Sequence, residues 1–189
     1  VARGLVPDGS PGDHFLLHAP TPGAPNSAAA PPVPVFINEW MASNSGAVAD
    51  PADGRFEDWF ELYNAGGSTV DLSGFTLTDN LNDPGKFTIP NGVTIPAGGF
   101  LIVWADGQPE QTAPGQLHVN FSLAAGGEEL GLFAPDGTPV DTLTFGTQTA
   151  NVSQGRFPDG AEPPFLFFAQ HTPGAPNTAA GANQPPLLS

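Results

Sequence analysis

The chain contains no cysteine among its 189 residues. This absence excludes disulfide bonds, thiolate metal sites and thiol nucleophiles from the fold and from its chemistry. Export stays open as a fate of the chain, because many secreted bacterial proteins contain no cysteine.

Basic residues are also scarce, since four Lys and Arg stand against nineteen Asp and Glu and the formal net charge is −15. Contacts to nucleic acid phosphates require a basic patch, so the composition excludes a nucleic-acid-binding protein. It disfavours docking to an anionic membrane surface for the same reason. The acidity either serves solubility through self-repulsion or supplies loop carboxylates that hold Ca²⁺.

Long apolar runs and helical periodicity are missing as well. No run of about 18 apolar residues occurs, so we expect no direct insertion into a membrane. Glycine (24 residues) and proline (23 residues) interrupt nearly every stretch long enough for a helix. Fourteen Phe, three Trp and one Tyr still supply apolar area for a core, which disordered chains lack. The composition therefore predicts an all-β domain with many turns and flanking Pro/Gly/Ala linkers.

An internal repeat organises the chain. Residues 3–29 align with residues 154–180 without a gap, at a constant offset of 151. The shared anchors are Pro-Asp-Gly at 7–9 and 158–160, and Thr-Pro-Gly-Ala-Pro-Asn at 21–26 and 172–177. A match of this length predicts that both segments close a domain of the same kind.

The repeat divides the chain into four regions. These are the C-terminal segment of a preceding copy (1–26), a linker (27–34), a complete domain (35–177) and a linker to a following domain (178–189). The chain starts without an initiator Met, so we expect a piece of a longer protein. The place that residues 1–30 would take in the complete domain is filled by residues 154–180. We therefore expect residues 1–30 to pack on another subunit, in homotypic head-to-tail contacts that can build a filament.

Within residues 35–177, short apolar runs alternate with turn residues roughly every 8–12 positions, a pattern typical of a sandwich or barrel. The predicted strands are 35–41, 58–64, 69–72, 75–78, 87–89, 93–95, 100–105, 117–123, 129–133, 140–145, 152–157 and 165–168. Residues 129–133 and 140–145 form the clearest hairpin, because Pro135-Asp136-Gly137 lies between them. Residues 100–105 are apolar throughout, which predicts a central strand covered on both faces.

Several of these stretches resemble the lamin-tail domain family, in the form found in bacterial surface and secreted proteins. The matching stretches are INEWMASN (37–44), DWFELYN (58–64), VDLSGF (70–75), IPAGGF (95–100), LHVNFSL (117–123) and TPGAPN (172–177). Together they cover residues 33–177 in order. The resemblance implies an immunoglobulin-like β-sandwich of Greek-key type, a binding or architectural role without catalysis, and a location outside the cell or at its surface.

One acidic loop is the candidate metal site. Asp50, Asp53, Glu57 and Asp58 lie within nine residues, and Ca²⁺ takes about six to eight oxygen ligands from such loops. These four residues are the predicted ligands. The spacing is not that of an EF-hand, and the alternative is a solvated turn. A second polar loop, residues 79–85, is interpreted as a turn.

Catalysis has little support in the sequence. His14 and His18 are replaced by Phe165 and Ala169 in the second copy, and no nucleophile elbow or His-Glu-x-x-His helix occurs. The three Trp residues are predicted to pack in the core instead of forming a sugar-stacking surface. We expect a non-catalytic structural or assembly module of a repetitive bacterial surface or secreted protein, such as a fibre subunit. The alternative is a ligand-binding module for a carbohydrate or a Ca²⁺-dependent protein partner.

Overall fold

The computed structural model describes residues 2–4, 15–17, 33–178 and 182–183, and it divides into two units, Val1–Val33 and Pro34–Ser189. Most of the linkers predicted at 27–34 and 178–189 lies outside the described residues, as do His14 and His18. In the first unit, β1 (Ala2–Gly4) and β2 (Phe15–Leu17) pair in antiparallel fashion as a two-stranded sheet.

The second unit is built from two large sheets and a small ribbon. The seven-stranded sheet contains, in spatial order, β10 (Gln116–His118), β9 (Phe100–Trp104), β4 (Trp59–Asn64), β3 (Val35–Met41), β13 (Ser153–Gly155), β14 (Leu166–Phe168) and β15 (Ala182–Asn183). The four-stranded sheet contains β12 (Pro139–Phe145), β11 (Glu128–Phe133), β6 (Thr76–Thr78) and β7 (Phe87–Thr88). The ribbon pairs β5 (Val70–Asp71) with β8 (Thr94–Ile95), and a 3₁₀ turn covers Pro109–Gln111.

The two large sheets pack face to face through β3, β11 and β12. The Trp40 and Phe145 rings lie 5.9 Å apart across this interface. The backbone N–H of Ile37 donates to Asp141 Oδ2 at 2.7 Å. This bond explains why a charged residue lies on the inward-facing side of β12. The predicted all-β, immunoglobulin-like sandwich is confirmed.

The core is largely aromatic. Trp40, Trp59 and Phe60 are 0% exposed and Trp104 is 1% exposed. Phe60 stacks on Phe121 with ring centroids 6.4 Å apart. Removing such large side chains from water contributes about 25 cal/mol for each Å² of apolar area. The prediction that the three Trp residues pack in the core is confirmed.

Most strands begin and end within one or two residues of their predicted bounds, but two of them, β10 and β9, differ in other ways. The run predicted as 117–123 pairs in a strand only over Gln116–His118, in parallel with β9, because β9 itself ends at Trp104. Its apolar alternation still buries Val119 and Phe121. Along β9, Leu101 and Val103 are buried, whereas Phe100 and Ile102 are half-buried, so one face of this strand is only partly covered.

Candidate functional site

A group of buried polar side chains lies on β3 and β4, where these strands contact the C-terminal part of the domain. Asn38, Glu39 and Glu61, termed here the cradle, are all 0% exposed. Glu39 lies opposite Glu61 in the β3–β4 ladder, and the register shifts between Ile37 and Glu39. A bulge of this kind redirects side chains, so the neighbours Asn38 and Glu39 both reach the same segment of chain.

That segment, residues 153–177, is termed the closing segment. Glu39 accepts hydrogen bonds from Thr172 N at 3.2 Å and from Thr172 Oγ1 at 3.1 Å. Glu61 Oε2 accepts one from Gly174 N at 2.5 Å. Asn38 Nδ2 donates to Asp159 Oδ1 at 3.0 Å. The two anchors of the sequence repeat therefore supply most of the atoms that bind the cradle, and Ser153 Oγ, outside the anchors, donates to Glu39 Oε1 as well.

The closing segment also ties its two anchors to each other. Asn177 N donates to Asp159 Oδ1 at 3.0 Å, and Asn177 Nδ2 donates to the Arg156 carbonyl oxygen at 2.8 Å. Thr172 Oγ1 lies 2.8 Å from Asn177 Oδ1. These bonds satisfy groups that would be costly to bury unpaired. The sequence repeat located the anchors, but nothing in the sequence indicated Asn38, Glu39 and Glu61 as their partners.

The two cradle carboxyl groups have raised proton affinity. Burial raises the pKa of Glu61 to about 8, the hydrogen bonds from Gly174 and Asn38 oppose this, and the neighbouring Glu39 adds to it. Burial also raises the pKa of Glu39, against hydrogen bonds from Ser153 and Thr172. Glu61 is therefore protonated at neutral pH, which spares the fold two adjacent buried charges.

β13 approaches β3 so closely that the contact requires glycine. Gly155 lies opposite Glu39, and a Cβ on Gly155 would stand 2.5 Å from the Asn38 carbonyl oxygen and 3.0 Å from Glu39 Cα. Because both of these are backbone atoms, no side-chain movement can relieve the clash. Any residue larger than glycine therefore pushes β13 away from the cradle.

The first unit repeats this hairpin. In β13–β14, Ser153 lies opposite Phe168 and Gly155 opposite Leu166. In β1–β2, Ala2 lies opposite Leu17 and Gly4 opposite Phe15, which is the same register at the offset of 151 residues. Gly4 thus occupies the position of Gly155.

The acidic loop spreads its four predicted ligands over different environments. Asp53 is exposed, and its two carboxylate oxygens contact Arg55, at 2.9 Å from N and 3.5 Å from Nε. Asp58 Oδ1 accepts a hydrogen bond from Asn44 N at 2.9 Å, and burial raises its pKa. Glu57 is half-buried, and burial followed by the charges of Asp106 and Asp53 raises its pKa. The Ca²⁺ site over Asp50, Asp53, Glu57 and Asp58 stays a prediction.

Asp50 is grouped instead with two residues distant in sequence, Asp106 and His118. His118 Nδ1 lies 2.7 Å from Asp106 Oδ2 and 3.7 Å from Asp50 Oδ2. The parallel pairing of β9 with β10 sets Trp104 opposite His118, so Asp106, two residues further on, comes beside the imidazole. Sequence reasoning missed this group because consecutive strands in a sandwich are expected to pair antiparallel.

The lamin tail domain family matches residues 28–147. The chain belongs to this family. It is thus an immunoglobulin-like protein-interaction or structural module of a non-enzymatic family. The match ends just after β12, whereas the sequence analysis extended the resemblance to Asn177, so the closing segment lies outside the matched region. A search of curated proteins finds no match to the chain.

In the described part of this lamin tail domain, one cleft has no acid–base pair in its lining. The cleft, of about 390 Å³, is lined by residues 90–94 and 112–116 together with Leu101, and none of these residues is titratable. The Asp106–His118 pair resembles half of a hydrolytic triad. His118 is 0% exposed, however, and its Nε2 has no hydrogen-bond partner in the described part of the chain.

Among the described residues, no helix combines the length and apolar character needed to cross a membrane.

Proposed function

We propose that the chain is a non-catalytic structural and assembly module of a repetitive bacterial surface or secreted protein. In this proposal, copies of the lamin tail domain are joined head to tail, and a hairpin such as β1–β2 completes the sheet of another copy. The duplicated hairpin is the observation that carries the proposal.

One edge of the duplicated hairpin, that of β1, corresponds to the edge by which β13 pairs with β3. In the complete domain, β13 pairs with β14 on one side and with β3 on the other. In the described part of the first unit, β1 pairs with β2 alone. An isolated two-stranded hairpin is at best marginally stable in water. Because β1 has the same register in its hairpin as β13, the edge of β1 fits the β3 edge of another copy.

The sequence of residues 1–26 supports the same contact. Gly4 supplies the glycine that the close approach to β3 requires. Asp8, Gly23 and Asn26 correspond to Asp159, Gly174 and Asn177, the closing-segment residues that hold the cradle or its partners. Addition of a strand to a sheet edge is a common mode of protein recognition.

A pair of matched glycine substitutions tests the proposal in the full chain. A domain closed by its own hairpin offers no free β3 edge, so the wild type exchanges hairpins rarely. Gly155→Ala weakens that closure and should increase self-association in analytical ultracentrifugation. Gly4→Ala alone should leave the fold unchanged, and Gly4→Ala combined with Gly155→Ala should return the chain to monomers.

The double variant separates hairpin exchange from aggregation of unfolded chain. If the oligomers of Gly155→Ala persist in the double variant, or if Gly155→Ala stays monomeric while folded by circular dichroism, the proposed contact is wrong. If the proposed contact is right, electron microscopy of Gly155→Ala should show linear particles, because a head-to-tail contact that does not close builds a filament.

The ligand-binding alternative has two branches with different support. A carbohydrate site would need an exposed aromatic row, yet Trp40, Trp59 and Trp104 are at most 1% exposed. A Ca²⁺-dependent protein partner stays a proposal that rests on the acidic loop. Electron microscopy of the Gly155→Ala variant with and without EDTA tests it, because loss of its assemblies in EDTA would favour that branch.

A further inference from the structure

Two carboxylates converge on one imidazole nitrogen in the interior of the domain. The Asp50, Asp106 and His118 side chains are all 0% exposed, and both carboxylates lie within 3.7 Å of His118 Nδ1. Nδ1 carries at most one proton, and the 2.7 Å contact assigns that proton to Asp106. Asp50 Oδ2 is left buried with no hydrogen-bond partner among the described residues.

We infer that Asp50 Oδ2, Asp106 Oδ2 and His118 Nδ1 bind a divalent transition metal ion of the Zn²⁺ type. The three atoms lie within 4.8 Å of one another. Small side-chain shifts complete bonds of about 2.0–2.2 Å, the usual length for Zn²⁺ with nitrogen and oxygen. The ion takes the place of the Nδ1 proton, which moves to Nε2 so that the imidazole stays neutral, and it gives Asp50 Oδ2 the partner it lacks.

The imidazole decides the class of metal. Ca²⁺ and Mg²⁺ prefer sites made entirely of oxygen, whereas imidazole nitrogen suits Zn²⁺ and its first-row neighbours. The site therefore differs from the Ca²⁺ loop in both ligands and metal, since it shares only Asp50 with the predicted set.

The ion would tie together three separate parts of the fold. Asp50 lies in the connection between β3 and β4, Asp106 follows β9, and His118 ends β10. All three side chains are closed to solvent, and a water molecule fills the fourth position that Zn²⁺ requires. Metal binding to the folded chain then adds directly to its stability.

The test uses the full chain stripped with EDTA and titrated with Zn²⁺, with the melting temperature as the first measurement. We expect Tm to rise by about 5–10 °C when free Zn²⁺ exceeds Kd a hundredfold. Asp50→Asn and Asp106→Asn should lose most of this rise, although Asn preserves their size. Asp53→Asn is the matched control, because it removes a charge from the same loop outside the group.

A second measurement does not depend on variants that could fail to fold. Long-range ¹H–¹⁵N spectra of the wild-type imidazoles should show a saturable Zn²⁺-dependent change at His118 Nδ1, with His171 as internal control. The inference is overturned if His118 does not respond, if Asp106→Asn keeps the full Tm rise, or if Ca²⁺ stabilises the chain and Zn²⁺ does not.

Discussion

Substitution of Glu61 by Gln offers a direct test of the cradle. The Glu61 side chain is 0% exposed, lies opposite Glu39 and accepts a hydrogen bond from Gly174 of the closing segment. Burial raises its pKa from 4.5 to about 8. The folded chain therefore holds a proton that the unfolded chain releases near pH 4.5. Gln keeps the size and the acceptor oxygen of protonated Glu but does not titrate.

The sign of the pH effect follows from proton linkage. Between pH 4.5 and about 8, the folded state binds more protons than the unfolded state, so the free energy of unfolding falls as pH rises. At about 1.36 kcal/mol per pH unit, the loss has an upper limit of about 5 kcal/mol for Glu61. Because burial raises the pKa of the adjacent Glu39 as well, the two carboxyl groups share the titration. We expect about 2–4 kcal/mol between pH 5 and pH 8.

Urea unfolding followed by Trp fluorescence at pH 5, 6, 7 and 8 measures this effect. Burial lowers the pKa of His171, so the free energy of unfolding also falls toward low pH. In the wild type this effect opposes the effect of Glu61. The difference between wild type and Glu61→Gln removes that contribution. We expect the variant to gain stability over the wild type as pH rises. Glu162→Gln, on an exposed glutamate, is the control. A difference between wild type and Glu61→Gln that does not change with pH would refute the reasoning.

Two further substitutions test other buried polar contacts by urea unfolding. Asn64→Ala should lower the free energy of unfolding by about 2–4 kcal/mol, because Asn64 Nδ2 donates to three backbone carbonyl oxygens at 2.8–3.0 Å. Asn82→Ala, at an exposed position, is the control. An equal loss in the control would contradict the role given to the Asn64 hydrogen bonds. Arg156→Ala should cost about 2–4 kcal/mol, because the half-buried Asp141 loses two bonds of 3.0 Å from Arg156 Nη2 and the Ile37 carbonyl oxygen loses one from Nε. A loss below about 1 kcal/mol would show that water replaces the guanidinium.

Local sequence patterns were enough to predict most strands. β3 has the predicted bounds, 35–41, because its apolar run is framed by Pro34 and by Ser43. The hairpin of β11 and β12 was predicted from its turn, where Gly137 adopts a φ of 82° that favours glycine. Such signals lie within a few residues of the element they specify. The bounds of these elements therefore needed no knowledge of the tertiary fold, whereas the end of β10 at His118 depends on its pairing with β9.

The buried groups depend on pairings that the sequence does not display. Asp106 and His118 meet only because β9 and β10 run parallel, across a connection that contains a 3₁₀ turn. Asp50 and Asp53, three residues apart, end in opposite environments, one 0% exposed and the other on the surface. Closeness in sequence therefore overlooked the group of Asp50, Asp106 and His118, whereas the Ca²⁺ site over Asp50, Asp53, Glu57 and Asp58 stays a prediction.

If copies exchange hairpins as we propose, the differences between the two hairpins decide which copy each hairpin closes. Most residues that contact the cradle are the same in both, but Ser153, whose hydroxyl donates to Glu39, corresponds to Ala2, and Arg156 corresponds to Leu5. In this domain, Arg156 donates to the Ile37 carbonyl oxygen at 2.9 Å and holds Asp141. A hairpin with Leu5 cannot make these bonds and would leave the half-buried Asp141 without its partner. We therefore expect β13–β14 to bind the β3 edge of this domain more tightly than β1–β2 does. The copy that β1–β2 fits best should carry an uncharged residue in place of Asp141.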